Sequence, residues 1–163
     1  MIDFRIKKAS GLVGHLNIQF VYDKSADRSQ HDMDKFDFLN SIYVKEDSFF
    51  LIEPIFFYNE STQRTAEQQK YYHWGLNYHD LNSLKVILQE VIELRESIQQ
   101  YRTSDTIQKL SFWLTKELKK ILTIRRIRYK YQNKMITYLN EISSFIEVAL
   151  DDKDIKGIWV IGI

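Results

Sequence analysis

The sequence predicts an α+β fold, in which an N-terminal antiparallel sheet of about four to six strands packs against two or three long helices. Residues 76–156 contain no glycine and no proline, which is typical of helix. The chain before them consists of short runs of β-branched and aromatic residues, which favour strands. We expect one domain over 1–163, with 1–78 mainly β, 80–150 helical, and 157–163 returning to the sheet as a closing strand.

The N-terminal part predicts a hairpin followed by a long loop. Residues 2–8 alternate apolar and charged side chains, and 15–22 alternate again after a turn marked by Gly11 and Gly14. We expect these two segments to pair as a hairpin. Residues 23–40 are polar and without period, so they are interpreted as a loop.

Three more strands are predicted before the helices. Residues 41–45 and 49–58 flank a short polar turn and indicate a second hairpin. The second of these runs, FFLIEPIFFY, is almost entirely apolar and predicts a central strand, with a bulge or an edge segment at Pro54. Residues 59–69 are a polar loop, and 70–78 indicate a fifth strand.

Asp80 is a candidate N-cap for the first long helix, because an apolar stripe at helical spacing covers 81–101. A second start is predicted at Asp105, where Gln108 completes a capping-box pattern. A single helix over 105–150 would be about 69 Å long, too long for a domain of this size. We therefore expect a break near residues 131–133, or alternatively nearer Ile124.

Composition restricts the class of protein. The net charge is only +1. Cysteine is absent, so disulfides and thiolate metal sites are excluded. The first ten residues carry charges without an apolar leader segment, and no window resembles a membrane span, so we expect a soluble cytoplasmic protein. The five glycines form no P-loop, dinucleotide-binding or nucleophile-elbow motif, so we expect no cofactor and no enzyme activity.

An acidic segment in the first long loop is a candidate partner-binding site. Asp32, Asp34 and Asp37 lie close together beside His31, and carboxylates could steer a basic partner protein. Such oxygen clusters also bind hard cations, but the EF-hand pattern fails because Phe36 and Asp37 stand where a ligand and a glycine are required.

The aromatic residues around Gly75 are a second candidate partner surface, because rigid amphipathic rings are enriched at the energetic centres of interfaces. These residues are Tyr71, Tyr72, Trp74 and Tyr78. The nearby His73, His79 and Asp80 leave a metal or catalytic role open, although their spacing matches no established metal motif.

The basic segment 116–134 is a candidate nucleic-acid surface, since phosphates attract a cationic stripe and tyrosines can stack on bases. Its candidate contacts are Lys119, Lys120, Arg125, Arg126, Arg128 and Lys130. A solvated helix face explains the same residues, because apolar side chains are interspersed among them. An acidic segment, 137–154, follows, so the polar surface is expected to have regions of opposite sign.

We interpret the chain as a small, non-enzymatic protein-binding module that blocks one protein partner, such as a toxin or effector. Bacterial immunity proteins and antitoxins are the class analogy for such an inhibitor. A nucleic-acid-binding regulator that uses 116–134 is the alternative. Self-association into a homodimer is compatible with both interpretations.

Overall fold

A computed structural model describes residues 2–9, 17–24, 36–59, 75–100 and 115–162. In these residues a five-stranded antiparallel sheet packs against helices, and its last strand comes from the C-terminus of the chain. The predicted α+β class, with an N-terminal sheet completed by a C-terminal strand, is therefore confirmed.

The sheet has the strand order β1-β3-β2-β5-β4, and all neighbouring strands are antiparallel. The strands are β1 (Lys7–Ala9), β2 (Asn17–Asp23), β3 (Phe36–Lys45), β4 (Leu76–Asp80) and β5 (Gly157–Gly162). The helices are α1 (Glu46–Phe49), α2 (Glu53–Tyr58), α3 (Leu81–Gln99), α4 (Lys116–Thr123) and α5 (Arg125–Asp151).

The main core lies between the sheet and the pair α3 and α5. Alternate residues of β2, such as Ile18 and Phe20, point into this layer and are fully buried. Phe20 makes edge-to-face contacts with Phe49 and Phe56 of the two short helices, at centroid distances of 5.9 and 5.4 Å. The short helices therefore belong to the core.

The predicted N-terminal hairpin is wrong in its pairing. The strand begins at Lys7, so the alternating residues before it are not in the sheet, although Ile2 and Phe4 are buried in the core. β1 pairs with β3, and β2 lies between β3 and β5. Alternation predicts which face of a segment is buried, but it does not specify the neighbouring strand.

The predicted strand over 49–58 is also wrong, because this run forms α1, a turn and α2. A short, continuous apolar run fits a buried helix as well as a buried strand. Pro54 lies in the first turn of α2, where a backbone N–H has no acceptor within the helix. The N–H group that proline lacks therefore costs the helix no hydrogen bond. The strand predicted over 41–45 begins earlier, at Phe36. Of the strand predicted over 70–78, the described part is β4, which begins at Leu76.

The long helices follow the predicted stripes. Asp80 caps α3 as predicted, because its Oδ1 accepts a hydrogen bond of 2.8 Å from the backbone N–H of Ser83. The break near 131–133 is wrong, since α5 is continuous there, and the alternative at Ile124 is confirmed. Ile124 has an extended backbone that a β-branched residue adopts readily, so no left-handed residue is needed. The start predicted at Asp105 lies outside the described residues.

Candidate protein-binding site

One of the three acidic candidates lies in the described part of the chain. Asp32 and Asp34 lie outside the described residues, whereas Asp37 lies in β3. Its Oδ2 is 2.8 Å from Nζ of Lys24, and its carboxylate also accepts hydrogen bonds from the backbone and side-chain nitrogens of Asn40, at 3.2 and 3.0 Å. Asp37 therefore ties the start of β3 to the end of β2 and to the turn that follows it.

That turn is a large bulge in β3. Phe20 pairs with Ile42 but Tyr22 pairs with Asp37, so the four residues 38–41 stand opposite Val21 alone. Ser41 fixes the base of the bulge by donating to the carbonyl of Phe38 at 2.7 Å. Leu39, within this bulge, is 76% exposed and presents apolar surface to solvent.

The bulge forms one wall of a groove of about 690 Å³, whose other wall is the C-terminal half of α5. We call this cavity the β3–α5 groove. The buried side chains of Tyr22, Ile42 and Phe145 form its apolar floor. Leu39 on one wall and Val148 on the other, the latter 50% exposed, present apolar surface to solvent. The groove is therefore apolar inside and open at the top.

Tyr22 makes the floor rigid. Its ring stacks on Phe145 with a centroid distance of 4.1 Å, and its hydroxyl donates to the Phe145 carbonyl at 3.0 Å. Burial raises the pKa of Tyr22 well above its ordinary value, and the negative charges of Asp37 and Asp152 raise it further. The phenol therefore stays protonated and keeps its hydrogen bond, so the floor is preformed.

Charged groups surround this apolar floor. Partial burial raises the pKa of Asp37, but the hydrogen bonds from Lys24 and Asn40 outweigh this and leave the pKa below its ordinary value. The hydrogen bond to Asp37 raises the pKa of Lys24, and the nearby Asp152 and Asp154 add to the effect. Asp37 is thus ionised at neutral pH, and with Asp152 and Glu141 it gives the groove three carboxylates.

The aromatic candidates do not form an exposed surface in the described residues. Tyr71, Tyr72 and Trp74 lie outside them. Tyr78 is only 7% exposed, packs 4.9 Å from the ring of Trp159, and donates to the Lys156 carbonyl at 2.9 Å. Its prediction as a partner contact is wrong, because its ring is part of the packing between β4 and β5.

The metal or catalytic role considered for His73, His79 and Asp80 gains no support from the described residues. His73 lies outside the described residues, and Asp80 is the cap of α3. His79 is buried, with Nδ1 3.2 Å from the carbonyl oxygen of Asn59. In the part of the chain that the structure describes, no group of three or more His, Cys, Asp or Glu side chains could hold a metal ion.

The basic candidates separate into an exposed group and a buried arginine. Lys119, Lys120, Arg126 and Lys130 are exposed on α4 and α5, and the side chain of Arg125 lies outside the described part. Arg128 is only 6% exposed and donates to the carbonyls of Ser97 and Leu122. Its prediction as a nucleic-acid contact is wrong, because it joins the ends of α3 and α4 inside the fold.

Sequence reasoning missed the two apolar residues that flank the groove. The sequence does contain a signal for the exposure of Val148, since this residue is apolar yet lies off the buried stripe of Leu139, Ile142 and Ile146. Leu39 had none, because it stands in a polar segment whose bulge appears only when β3 pairs with β2.

Comparison with protein-family models, with curated proteins and with solved structures gives no match to this chain. None of the described helices is both long enough and apolar enough to cross a membrane.

Proposed function

We propose that this protein is a small non-enzymatic binding module that inhibits one partner protein, and that the β3–α5 groove is its binding site. The observation that carries the proposal is the pair of exposed apolar side chains, Leu39 and Val148, on opposite walls of a preformed apolar groove. Exposed apolar surface of this kind is a frequent mark of a protein-binding site. The analogy of class is with bacterial immunity proteins and antitoxins, which act in the cytoplasm.

The charges of the groove define the partner. The lining of the groove has three carboxylates, on Asp37, Glu141 and Asp152, and two lysines, Lys8 and Lys24. Lys24 is already paired with Asp37, so the groove is acidic. A partner segment that carries apolar side chains flanked by lysine or arginine would bury the floor and meet the carboxylates at its edges. A basic surface is typical of proteins that act on nucleic acids, so a toxin or effector of that class fits the groove. Self-association of the chain is compatible with this function.

The product of a gene adjacent to the one that encodes this chain is the natural first partner to test, since inhibitors are commonly encoded beside their targets. We expect a stoichiometric complex on size exclusion at moderate salt. Leu39→Lys with Val148→Lys should abolish the complex, because two charges would then face the apolar floor. Val86→Lys is the matched control, since Val86 is a similarly exposed valine on α3.

Two results would count against the proposal. A complex that survives the double substitution in the groove would place the partner elsewhere on the chain. Failure of any adjacent gene product to form a stoichiometric complex would remove the support for an inhibitor.

Nucleic-acid binding is a second candidate function, favoured by one observation on α5. Tyr129 is 75% exposed and stands between Arg126 and Lys130, an arrangement in which a base could stack while phosphates meet the cations. It predicts binding of a single-stranded oligonucleotide that weakens steeply with salt and is lost in Arg126→Ala with Lys130→Ala. Lys85→Ala, on the exposed side of α3, is the control. Absent or salt-insensitive binding in a fluorescence anisotropy titration would eliminate this function.

A further inference from the structure

Helix α5 has an exposed face whose two ends carry opposite charge. We call this face the α5 ridge. Its basic end carries Arg126, Lys130 and Lys134, and its acidic end carries Glu141, Glu147 and Asp151, all of them exposed. Within the described part of the chain none of the six forms an ion pair. Their charges are therefore available to another molecule.

This arrangement does not serve the helix itself. A helix favours acidic residues at its N-terminus and basic residues at its C-terminus, but the first turn of α5 has no acid and its last turn has no base. Arg126, Lys130 and Lys134 are spaced four residues apart, so like charges are neighbours on the helix surface. Both features reduce helix stability, which indicates that the charges have a role outside the isolated chain.

A surface with opposite charges at its two ends is complementary to a second copy of itself in the antiparallel orientation. Three pairs of exposed residues are equally distant along α5 from the point between Tyr138 and Leu139. The pairs are Arg126 with Asp151, Lys130 with Glu147, and Tyr129 with Val148. A two-fold axis perpendicular to the helix at that level would bring each end of one ridge against the opposite end of the other.

We propose that two copies of this chain associate through their α5 ridges in an antiparallel, two-fold arrangement. The contact would run over about 38 Å, from Arg126 to Asp151, at 1.5 Å per residue. It would place Arg126 of each copy beside Asp151 of the other and would cover part of the exposed surface of Tyr129 and Val148. Because the contact is narrow and largely polar, the dimer is weak, with a micromolar dissociation constant that rises with salt.

The proposal does not depend on the proposed inhibitory function, although the two surfaces share Glu141 and Val148. Leu39→Lys alone tests the groove against an adjacent gene product without altering the α5 ridge, whereas the dimer is tested through Arg126, Asp151 and the mass of the purified chain. Either can fail without the other. Nucleic-acid binding at the basic end is a separate outcome, since it would be abolished by Arg126→Asp and unaffected by Asp151→Arg.

Analytical ultracentrifugation with exchanged charges tests the pairing. Each of Arg126→Asp and Asp151→Arg alone should weaken self-association about tenfold at low salt, because each change creates two repulsive contacts in a symmetric dimer. An equimolar mixture of the two variants should recover wild-type affinity, since both contacts then join opposite charges. Lys85→Asp, which changes the net charge as Arg126→Asp does but lies on α3, should leave the affinity unchanged.

Disulfide formation gives an independent measurement, because the chain contains no cysteine. Thr137→Cys places a thiol beside the proposed axis, where it would meet its own copy, and should give a covalent dimer under mild oxidation. Asn82→Cys, exposed on α3, should not. A chain that remains monomeric at high concentration and low salt, or a mixture of charge variants that fails to recover affinity, would overturn the proposal.

Discussion

Helices α4 and α5 follow one another in the chain, and their ends are built in opposite ways. α4 is capped by Thr115, whose hydroxyl accepts a hydrogen bond from the backbone N–H of Leu118 at 3.3 Å, and it has Glu117 in its first turn and Lys120 in its last. α5 begins after Ile124 without a side-chain cap, and its charges oppose the helix dipole.

The two helices differ in what stabilises them. α4 has only eight residues and buries Leu118, Ile121 and Leu122, so the Thr115 cap adds about 1 kcal/mol to the burial of three apolar side chains. α5 buries residues such as Met135, Leu139 and Ile146, each of which contributes roughly 2 kcal/mol by burial, against about 0.3 to 1 kcal/mol for each charge at a helix end. A long, well-packed helix tolerates unfavourable surface charges, and its exposed face is therefore free to serve binding.

The sharpest contrast within α5 is between two arginines of its first turn. Arg128→Ala should lower the free energy of unfolding by about 3 kcal/mol, because it removes a buried cation that donates to the carbonyls of Ser97 and Leu122. Arg126→Ala should change it by less than about 0.5 kcal/mol, since Arg126 is exposed. Urea unfolding measures both. If both variants lost a similar free energy of unfolding, Arg128 would not differ from Arg126 in its contribution to the packing of the fold.

The sequence predicts this division only in part. The buried stripe of α5 contains Met135, and counting seven residues back along the helix leads to Arg128, so its burial had a periodic signal. The chemical type of the residue pointed instead to the surface, since arginine is rarely buried without partners. The partners are main-chain carbonyls at the ends of two other helices, which no local pattern reveals.

Local signals predicted other elements well. The Asp80 cap, the stripe of α3 and the strand β5 were predicted because each depends on neighbouring residues in the sequence. The run 49–58 was assigned wrongly because a short apolar segment is compatible with helix and strand alike. The pairing of β1 with β3 and the bulge that exposes Leu39 depend on contacts between distant residues, so they could not be predicted.

The capping of α4 gives the next largest effect. Thr115→Ala should lower the free energy of unfolding by about 1 kcal/mol, because the N–H of Leu118 loses its acceptor. Thr123→Ala is the matched control in the same helix, since its hydroxyl only donates back to the Lys119 carbonyl, and it should be nearly neutral. Thermal or urea unfolding of both variants is the measurement. Equal effects would mean that the Thr115 cap adds nothing to α4.

Replacing the charges at the ends of α5 with charges that suit the helix dipole should stabilise the chain, because the natural charges oppose the dipole. Arg126→Glu and Asp151→Lys should each raise the free energy of unfolding by about 0.3 to 1 kcal/mol at low salt, and high salt should remove the gain. The measurement is made at protein concentrations at which the chain is monomeric. A loss of stability would show that these charges support the fold, which would remove the reason for assigning them to an interface.

The smallest predicted effect concerns Asp37, next to the acidic end of α5. Its pKa in the folded chain lies below the ordinary value of 3.8, so the stability it contributes is complete above pH 3.8 and is lost as the pH falls through the folded-state pKa. The contribution should be about 0.5 kcal/mol, because Lys24 is substantially exposed. The difference in free energy of unfolding between wild type and Asp37→Asn should therefore be constant near neutral pH and decrease in acid. A difference for Asp37→Asn that persists unchanged in acid would contradict the role of its carboxylate in holding the β3–α5 groove.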